Sequence, residues 1–268
     1  MRKLIFGAVA AMAIASGGFA SGTALASEGG VDFPQENWSF KGIFGKFDRP
    51  ALRRGAQVYL EVCSNCHSLS LLSYRNLEQI GFSKAEVKKI AAGFDVQDGP
   101  NDEGDMYTRP ARPSDKFVAP FANEKAARAA NNGAFPPDLS VIVKARKGGV
   151  DYIHALLTGF RDPPADFKLK DGMQYNLYFP GHQIGMPPPL DADSVEYADG
   201  TKATLEQESR DVTTFLAWAA EPELEARKRL GIKVMIYLFV LTSMLYVLKK
   251  RIWKRVCLDG SDQENPPA

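Results

Sequence analysis

The stretch that decides the fold is residues 62–69, VCSNCHSL. It brings together two of the chain's three cysteines and one of its three histidines. Three kinds of site contain such a Cys-x-x-Cys pair: a structural zinc site, a dithiol redox centre and a covalent haem attachment site. A zinc site needs a second pair of ligands at comparable spacing, and Cys257, His154 and His182 are each unpaired in the sequence.

The residues before the motif separate the other two interpretations. A dithiol redox motif is expected beside a βαβ pattern, whereas residues 52–66, LRRGAQVYLEVCSNC, have apolar positions at helical spacing. Covalent haem attachment explains the spacing, because thioethers from Cys63 and Cys66 reach two vinyl groups of one porphyrin while His67 turns its imidazole under the iron. The stretch therefore predicts one haem c, with a chance Cys-x-x-Cys-His sequence as the alternative.

The N-terminus has the pattern of a secretory signal peptide. Arg2 and Lys3 form a basic start, an apolar run follows, and residues 24–26, Ala-Leu-Ala, match an A-x-A cleavage signal. Ser16, Gly17 and Gly18 interrupt the run, which argues against an N-terminal membrane anchor. We predict that residues 1–26 are removed and that the protein is exported, and in bacteria haem c is attached outside the cytoplasm.

A second apolar segment, residues 230–248, predicts a transmembrane helix. It contains one charge, Lys233, and as a helix it would be ~28 Å long, close to the ~30 Å hydrocarbon core of a bilayer. By the positive-inside rule, the basic residues that follow place the tail, 249–268, in the cytoplasm and the domain 27–229 in the periplasm of a bacterial inner membrane. The alternative is a buried core helix, which rarely precedes such a basic block. The residues after the segment are Lys249, Lys250, Arg251, Trp253, Lys254 and Arg255.

Charge and cysteine usage agree with this topology. Cys257 lies in the predicted cytoplasmic tail, so Cys63 and Cys66 are the only cysteines of the exported domain and both are free for haem. Residues 27–229 contain 25 Lys and Arg against 29 Asp and Glu, a net charge of −4. A nucleic-acid partner is therefore not expected.

The exported domain reads as mainly α with long Pro- and Gly-bearing loops. Apolar spacing and capping patterns predict helices, while we find no convincing strand pairs. Capping boxes are expected at Ser83 with Glu86 and at Thr204 with Gln207. The predicted helices are 51–64, 83–92, 123–131, 150–157 and 204–222.

Two kinds of sequence feature connect the chain with known families. A first helix with Gly55 and Tyr59 that leads into the haem motif, and a last soluble helix with Phe215 and Trp218, resemble the class I cytochrome c fold. In that fold the two helices cross, and the glycine lets their backbones approach. Further segments resemble the cytochrome c1 family, haem subunits of the cytochrome bc1 complex, over residues 38–253: RAANNGAFPPDLS, VKARKGGVDYIHALLTGF, YNLYFPGHQIGMPPPL and WAAEPELEARKRLG.

The resemblance implies a second iron ligand besides His67. Outside the signal and the span, the methionines are Met106, Met173 and Met186. In the family the ligand is the methionine of the segment that here reads Gly-Met-Pro-Pro-Pro, so the role carries over to Met186. A thioether ligand raises the haem potential relative to two imidazoles and denies substrates access to the iron. His182 is expected to be a surface or supporting histidine instead.

Other site residues follow from the same resemblance. Asn131, Pro136 and Pro137 match a family segment that lines the haem pocket. Arg146 and Tyr152 match residues near the haem propionates, where a guanidinium can bind a carboxylate in a bidentate manner. His154, on the apolar face of a predicted helix, is expected to be a hydrogen-bonded core histidine.

The implied function is one-electron transfer in the bc1 complex. The domain would receive electrons from the Rieske iron–sulfur protein and pass them to a cytochrome c, with cytochrome b and membrane lipid as further partners. The alternative is a haem-based sensor or peroxidase-like enzyme with an open iron site. Two acidic stretches are either solvated loops or a docking surface for a basic cytochrome c: residues 95–105, DVQDGPNDEGD, and Asp191, Asp193, Glu196 and Asp199.

Overall fold

The computed structural model of the chain describes residues 31–259, with side chains up to residue 254. The predicted signal peptide, 1–26, lies outside the described residues, as does the end of the tail. The described part is mainly helical, which confirms the predicted fold class. Its α-helices are α1 (Arg49–Glu61), α2 (Lys84–Ala91), α3 (Glu124–Ala130), α4 (Ile142–Ala145), α5 (Gly149–Thr158), α6 (Leu205–Ala220) and α7 (Leu224–Asp259), and its 3-10 turns are Cys63–Asn65, Tyr74–Ile80 and Pro180–His182.

Local sequence signals account for several of the helix starts. Pro50 occupies the first turn of α1, where a missing backbone N–H costs nothing. The capping box at α2 is present, since Glu86 N donates to Ser83 Oγ at 3.2 Å and Ser83 N donates to Glu86 Oε2 at 2.7 Å. At α6 the box is only half formed. Gln207 N donates to Thr204 Oγ1, but the Gln207 amide turns away to Asp211.

The core is built around the crossing of α1 and α6. A Cβ atom on Gly55 would lie 2.0 Å from the Asp211 carbonyl oxygen and 2.8 Å from Phe215 Cβ. Only glycine permits this backbone approach. Large side chains that are fully or almost fully buried surround the crossing: Leu52, Val58, Tyr59, Val212, Phe215 and Trp218.

The expectation of no strand pairs was wrong for two short hairpins. β1 (Asp95–Asp98) pairs antiparallel with β2 (Tyr107–Pro110), and β3 (Gln174–Tyr175) pairs antiparallel with β4 (Gln183–Ile184). The four strands are two to four residues long, and Tyr175 is the one buried residue in them, so they show none of the alternating apolar pattern that predicts a strand. The predicted acidic surface loop therefore begins as strand β1.

α7 leaves the domain as one continuous helix. Its first residue, Leu224, is buried in the core, and the helix then runs without a break through the predicted span 230–248. Within the described residues, 224–254 form one helix long and apolar enough to cross a membrane, with a mean hydropathy of 1.9 over its most apolar part. That part is not buried against the rest of the chain.

Candidate haem site

A largely apolar cavity of about 450 Å³ lies beside the Cys-x-x-Cys-His motif, within the usual size range of cofactor sites. α6 contributes Val212 and Leu216 to its wall, and α5 contributes Ile153. All nine site residues expected from the sequence line this one cavity: Cys63, Cys66, His67, Asn131, Pro136, Pro137, Arg146, Tyr152 and Met186.

The motif itself is a tight turn at the end of α1. Cys66 N and His67 N both donate to the Cys63 carbonyl, at 3.1 and 2.8 Å. The phenol of the buried Tyr59 donates to the His67 carbonyl at 3.1 Å. Because α1 is fixed against α6, this turn holds both thiols and the imidazole at the cavity wall.

One backbone contact sets the orientation of the His67 ring. His67 Nδ1 lies 2.8 Å from the Pro137 carbonyl oxygen, which can only accept, so Nδ1 carries the proton and Nε2 keeps its lone pair. Burial lowers the pKa of His67 and outweighs the opposing effects of the Pro137 hydrogen bond and the Asp138 charge. The imidazole is therefore neutral, which is the form that binds a metal.

The Cys63 thiol is not poised for redox chemistry. Burial, and next the neighbouring Cys66, raises the pKa of the Cys63 thiol to about 12. A catalytic dithiol needs a lowered pKa because the thiolate is its nucleophile. A zinc site finds no support either: among the described residues that line the cavity, the Cys and His side chains are those of the motif alone.

Met186 is the one methionine among the cavity-lining side chains of the described residues. It follows Gly185, where a Cβ atom would come 3.0 Å from Ala134 Cβ, so this segment packs closely against the segment that contains Ala134. Met106 is 61% exposed on the β1–β2 hairpin. Met173 and His182 are not part of the lining. His182 stacks on Tyr175 with ring centroids 5.6 Å apart, in agreement with a supporting role.

Asp138 supports the site and was not singled out from the sequence. Its carboxylate accepts hydrogen bonds from Ser68 Oγ at 2.8 Å, Ser70 N at 2.9 Å and Ser140 N at 2.8 Å. Burial alone would raise the pKa of Asp138, but the hydrogen bonds from Ser140 and Ser70 outweigh it and hold the pKa at about 2. The residue thus joins the haem motif to the Pro136–Pro137 wall. The nearby Asp-x-Ser sequence hinted at a local turn, but not at partners about 70 residues away.

The remaining predicted residues also line the cavity. Arg146 is exposed, and in the described part of the chain its guanidinium makes only a long, 3.5 Å contact with the Ala145 carbonyl. It is therefore available to a carboxylate at the cavity mouth. Tyr152 is buried, and burial raises its pKa, so the phenol stays neutral. The Asn131 amide donates to the Ala127 carbonyl at 2.7 Å, and this hydrogen bond holds the Asn131 side chain against the C-terminal end of α3.

His154 lies outside the cavity, as expected of a core histidine. Its Nδ1 is 2.9 Å from Ser209 Oγ and its Nε2 is 2.8 Å from Glu206 Oε1. Glu36 approaches the same group, but it is bound by Arg210 at 3.0 Å. These partners satisfy the ring, so the cluster serves packing between α5 and α6.

These features fit a haem. An apolar cavity suits the porphyrin face, two thiols on one turn suit its vinyl groups, and an imidazole together with a soft thioether suits the iron. A mainly helical domain with crossing α1 and α6 helices and this site defines a c-type cytochrome, a protein that binds haem c covalently.

Comparison with known proteins identifies the family. Residues 38–256 match the Cytochrome C1 family. The chain is 50% identical to cytochrome c1 of Rhodospirillum rubrum over 88% of its own length and 92% of that protein. It is 50% identical to the mitochondrial cytochrome c1 heme protein of Saccharomyces cerevisiae, over 85% of the chain and 74% of that protein. It is also 49% identical to the cytochrome b/c1 of Bradyrhizobium diazoefficiens, over 86% of the chain and 37% of that longer protein. The chain belongs to the cytochrome c1 family.

Proposed function

We propose that the protein carries single electrons through one covalent haem c, as the haem subunit of a cytochrome bc1 complex. The observation that carries the proposal is the position of His67. Its Nδ1 is held at 2.8 Å by Pro137, which leaves Nε2 free in the cavity that also contains both motif thiols and Met186.

Each residue then has a defined task. The bound haem supplies an iron that alternates between two oxidation states one electron apart. Cys63 and Cys66 would hold the haem through thioethers, and His67 Nε2 and Met186 Sδ would be the ligands of its iron. The apolar lining excludes water and helps to set the potential. Arg146 would pair with a haem propionate.

Electron transfer is favoured over the alternative of an open-iron sensor or peroxidase-like enzyme. Met186 lines the same cavity as His67, and its thioether would occupy the position on the iron that a substrate would need. Among the described residues that line the cavity there is also no carboxylate to act as an acid or base.

The partners and the topology belong to the same proposal. The Rieske protein would deliver electrons and a soluble or membrane-bound cytochrome c would accept them, with cytochrome b as the neighbouring subunit. The existence of a relative named cytochrome b/c1 supports that neighbour. The domain 27–229 would face the periplasm after removal of residues 1–26, the span 230–248 would cross the bacterial inner membrane, and the tail 249–268 would lie in the cytoplasm.

Two measurements on the full chain test this function. On a haem-stained denaturing gel, the colour should stay with the wild-type polypeptide and with the control Cys257→Ser, because thioethers survive unfolding. It should weaken or be lost in Cys63→Ser. Carbon monoxide should bind the reduced wild-type protein poorly. Rapid carbon monoxide binding would support the open-iron alternative, and colour that leaves the wild-type chain would exclude covalent attachment.

A further inference from the structure

A short loop before α1 exposes two large apolar side chains. The loop spans residues 38–47, WSFKGIFGKF, and its ends are in the core, since Trp38, Phe40 and Phe47 are almost fully buried. At its tip, by contrast, Ile43 is 69% exposed and Phe44 is 81% exposed. Outside α7, Phe44 is the most exposed large apolar side chain of the described residues. Such exposure indicates a surface that contacts another molecule or a membrane.

This exposure is built into the loop. Lys46 N donates to the Ser39 carbonyl at 3.0 Å, which closes the loop at its base. Gly42 has a φ of +76°, and a Cβ on Gly45 would lie 2.0 Å from the Lys41 carbonyl oxygen, so the turn depends on both glycines. The Phe40 and Phe47 rings pack with centroids 4.9 Å apart. The tip is therefore preorganised, and its binding to a partner costs little chain entropy.

The contacts with α7 show in which direction the tip lies. Glu225 accepts from Phe47 N at 3.0 Å and from Arg49 at 3.0 Å. About one helical turn further along, Lys228 Nζ donates to the carbonyls of Phe40 and Gly45, at 2.6 and 3.2 Å. Gly45 directly follows Phe44 in the chain, and Lys228 precedes the apolar span by two residues. The bond between them therefore holds the tip near the start of the span.

We propose that Ile43 and Phe44, the apolar tip, insert into the interfacial layer of the bilayer that α7 crosses. An apolar pair at the level where the span begins matches the depth at which aromatic and aliphatic side chains settle at a membrane surface. Lys46, exposed next to the tip, can reach lipid phosphates while its stem stays apolar. The inference rests on α7 as the membrane helix and is independent of the haem ligands.

The consequence is a second membrane contact for the domain. A single helix would leave the domain free to rotate and tilt about one attachment. The loop is joined to the core by Trp38, whose indole donates to buried Asp151 at 2.6 Å, and to α7 by Lys228. An inserted tip therefore fixes the height and tilt of the haem cavity above the membrane, which matters for a protein that must meet partners on that surface.

Spin labels on the assembled complex in bilayers test the proposal. Ile43→Cys and Phe44→Cys, each combined with Cys257→Ser, provide two independent labelling sites, because the motif cysteines hold the haem. Collision of the nitroxide with oxygen reports lipid, and collision with a water-soluble nickel chelate reports solvent. The ratio of oxygen to nickel collisions at both tip positions should be several-fold higher than at the control Met106→Cys, whose native side chain is 61% exposed on a hairpin.

Each other outcome contradicts the proposal in a recognisable way. A nickel accessibility equal to that at Met106 would mean that the tip is in water. Protection from both collision partners would mean that the tip is buried against another subunit rather than lipid. Neither outcome would affect the covalent attachment of haem, so the test is separate from the test of function.

Discussion

At the level of single residues, the chemical groups of the motif come from one short stretch of sequence, whereas the orientation of the His67 ring depends on a tertiary contact. Cys63, Cys66 and His67 are adjacent in sequence, so the motif alone predicts what they can bind. The direction of the imidazole depends on the Pro137 carbonyl, 70 residues away. That partner is a backbone atom, which every residue offers, so no sequence pattern could have revealed it. The same holds for Asp138, whose partners come together only in the fold.

Met186→Leu should lower the midpoint potential of the haem and let carbon monoxide bind the reduced iron. The thioether stabilises the reduced state, and axial ligands are among the features that set potentials over a range of about 0.8 V. A redox titration followed by haem absorbance measures the shift. Met106→Leu is the matched control, because Met106 is exposed on the hairpin, and its potential should stay at the wild-type value. An unchanged potential in Met186→Leu would transfer the ligand role to another residue.

Asp138→Asn should destabilise the domain by about 1.5–3 kcal/mol at pH 7, since a charged acceptor of three hydrogen bonds is lost. The pKa of Asp138 is depressed to about 2, below the ordinary value near 3.9, so its contribution is complete above pH 4 and is lost as the pH falls towards 2. Guanidinium unfolding followed by haem absorbance, at several pH values, measures the difference. The exposed control Asp102→Asn should have little effect at any pH, and a variant equal to wild type at pH 7 would contradict the assigned support.

At the level of elements, helices were predictable and hairpins were not. The first helix was expected over 51–64 and occurs as α1 followed by a 3-10 turn, because apolar spacing is a local property. The β1–β2 hairpin instead depends on cross-strand pairs of polar side chains, Gln97 with Thr108 at 2.7 Å and Asp98 with Arg109. Such polar pairs produce no hydrophobic periodicity in the sequence, so the hairpin could not be predicted from it.

Gly55→Ala should destabilise the α1–α6 crossing by about 1–3 kcal/mol or more, as overpacking does, because the added methyl group would meet backbone at 2.0 Å. Thermal unfolding of the haem-loaded protein measures the loss. Gly231→Ala is a control in α7 with open space around the new Cβ, and its effect should stay within about 1 kcal/mol. Equal stability of Gly55→Ala and wild type would show that the helices can separate without cost.

At the level of the whole molecule, the sequence predicted the long apolar segment but not the way it joins the domain. The apolar run predicted a span that starts at residue 230. The structure shows that the helix begins at Leu224 and that its first turns are bound to the domain through Glu225 and Lys228. Both residues are charged and bind the domain through tertiary contacts. A hydropathy profile does not detect such contacts.

A chain shortened after Arg229 should therefore be exported, soluble and haem-loaded, whereas one shortened after Glu221 should be less stable. The first keeps buried Leu224 and the contacts of Glu225 and Lys228, and the second loses them all. The haem-stained fraction of the periplasm and the midpoint of thermal unfolding measure both effects. Membrane retention of the longer form without partner subunits would contradict the single anchor, and equal midpoints would mean that the start of α7 adds no stability.

The last prediction concerns docking of a basic cytochrome c, and the structure changes which acidic residues matter. Asp98 pairs with Arg109, which lowers the pKa of this carboxyl, and Asp199 accepts from Arg54 at 2.9 Å. Both charges are compensated within the chain, so neither is a good choice for steering a partner. Two groups of exposed carboxylates remain: Asp95, Asp102, Glu103 and Asp105 on the hairpin, and Asp191, Asp193 and Glu196 after the proline segment.

We expect the second group to contribute more, because Asp191 lies two residues beyond Pro189, which lines the haem cavity. Replacing Asp191 and Asp193 by Asn should slow reduction of a basic cytochrome at low salt and flatten the salt dependence of the rate. Long-range attraction weakens as the Debye length falls from about 30 Å at 0.01 M to about 10 Å at 0.1 M. Stopped-flow rates of cytochrome reduction over this range measure the effect, and the rate at which the haem itself is reduced should not change. Asp102→Asn combined with Asp105→Asn is the matched control with the same change in charge. If the control loses more rate and salt dependence than the Asp191 and Asp193 variant, the hairpin is the docking surface and the rim of the cavity is not.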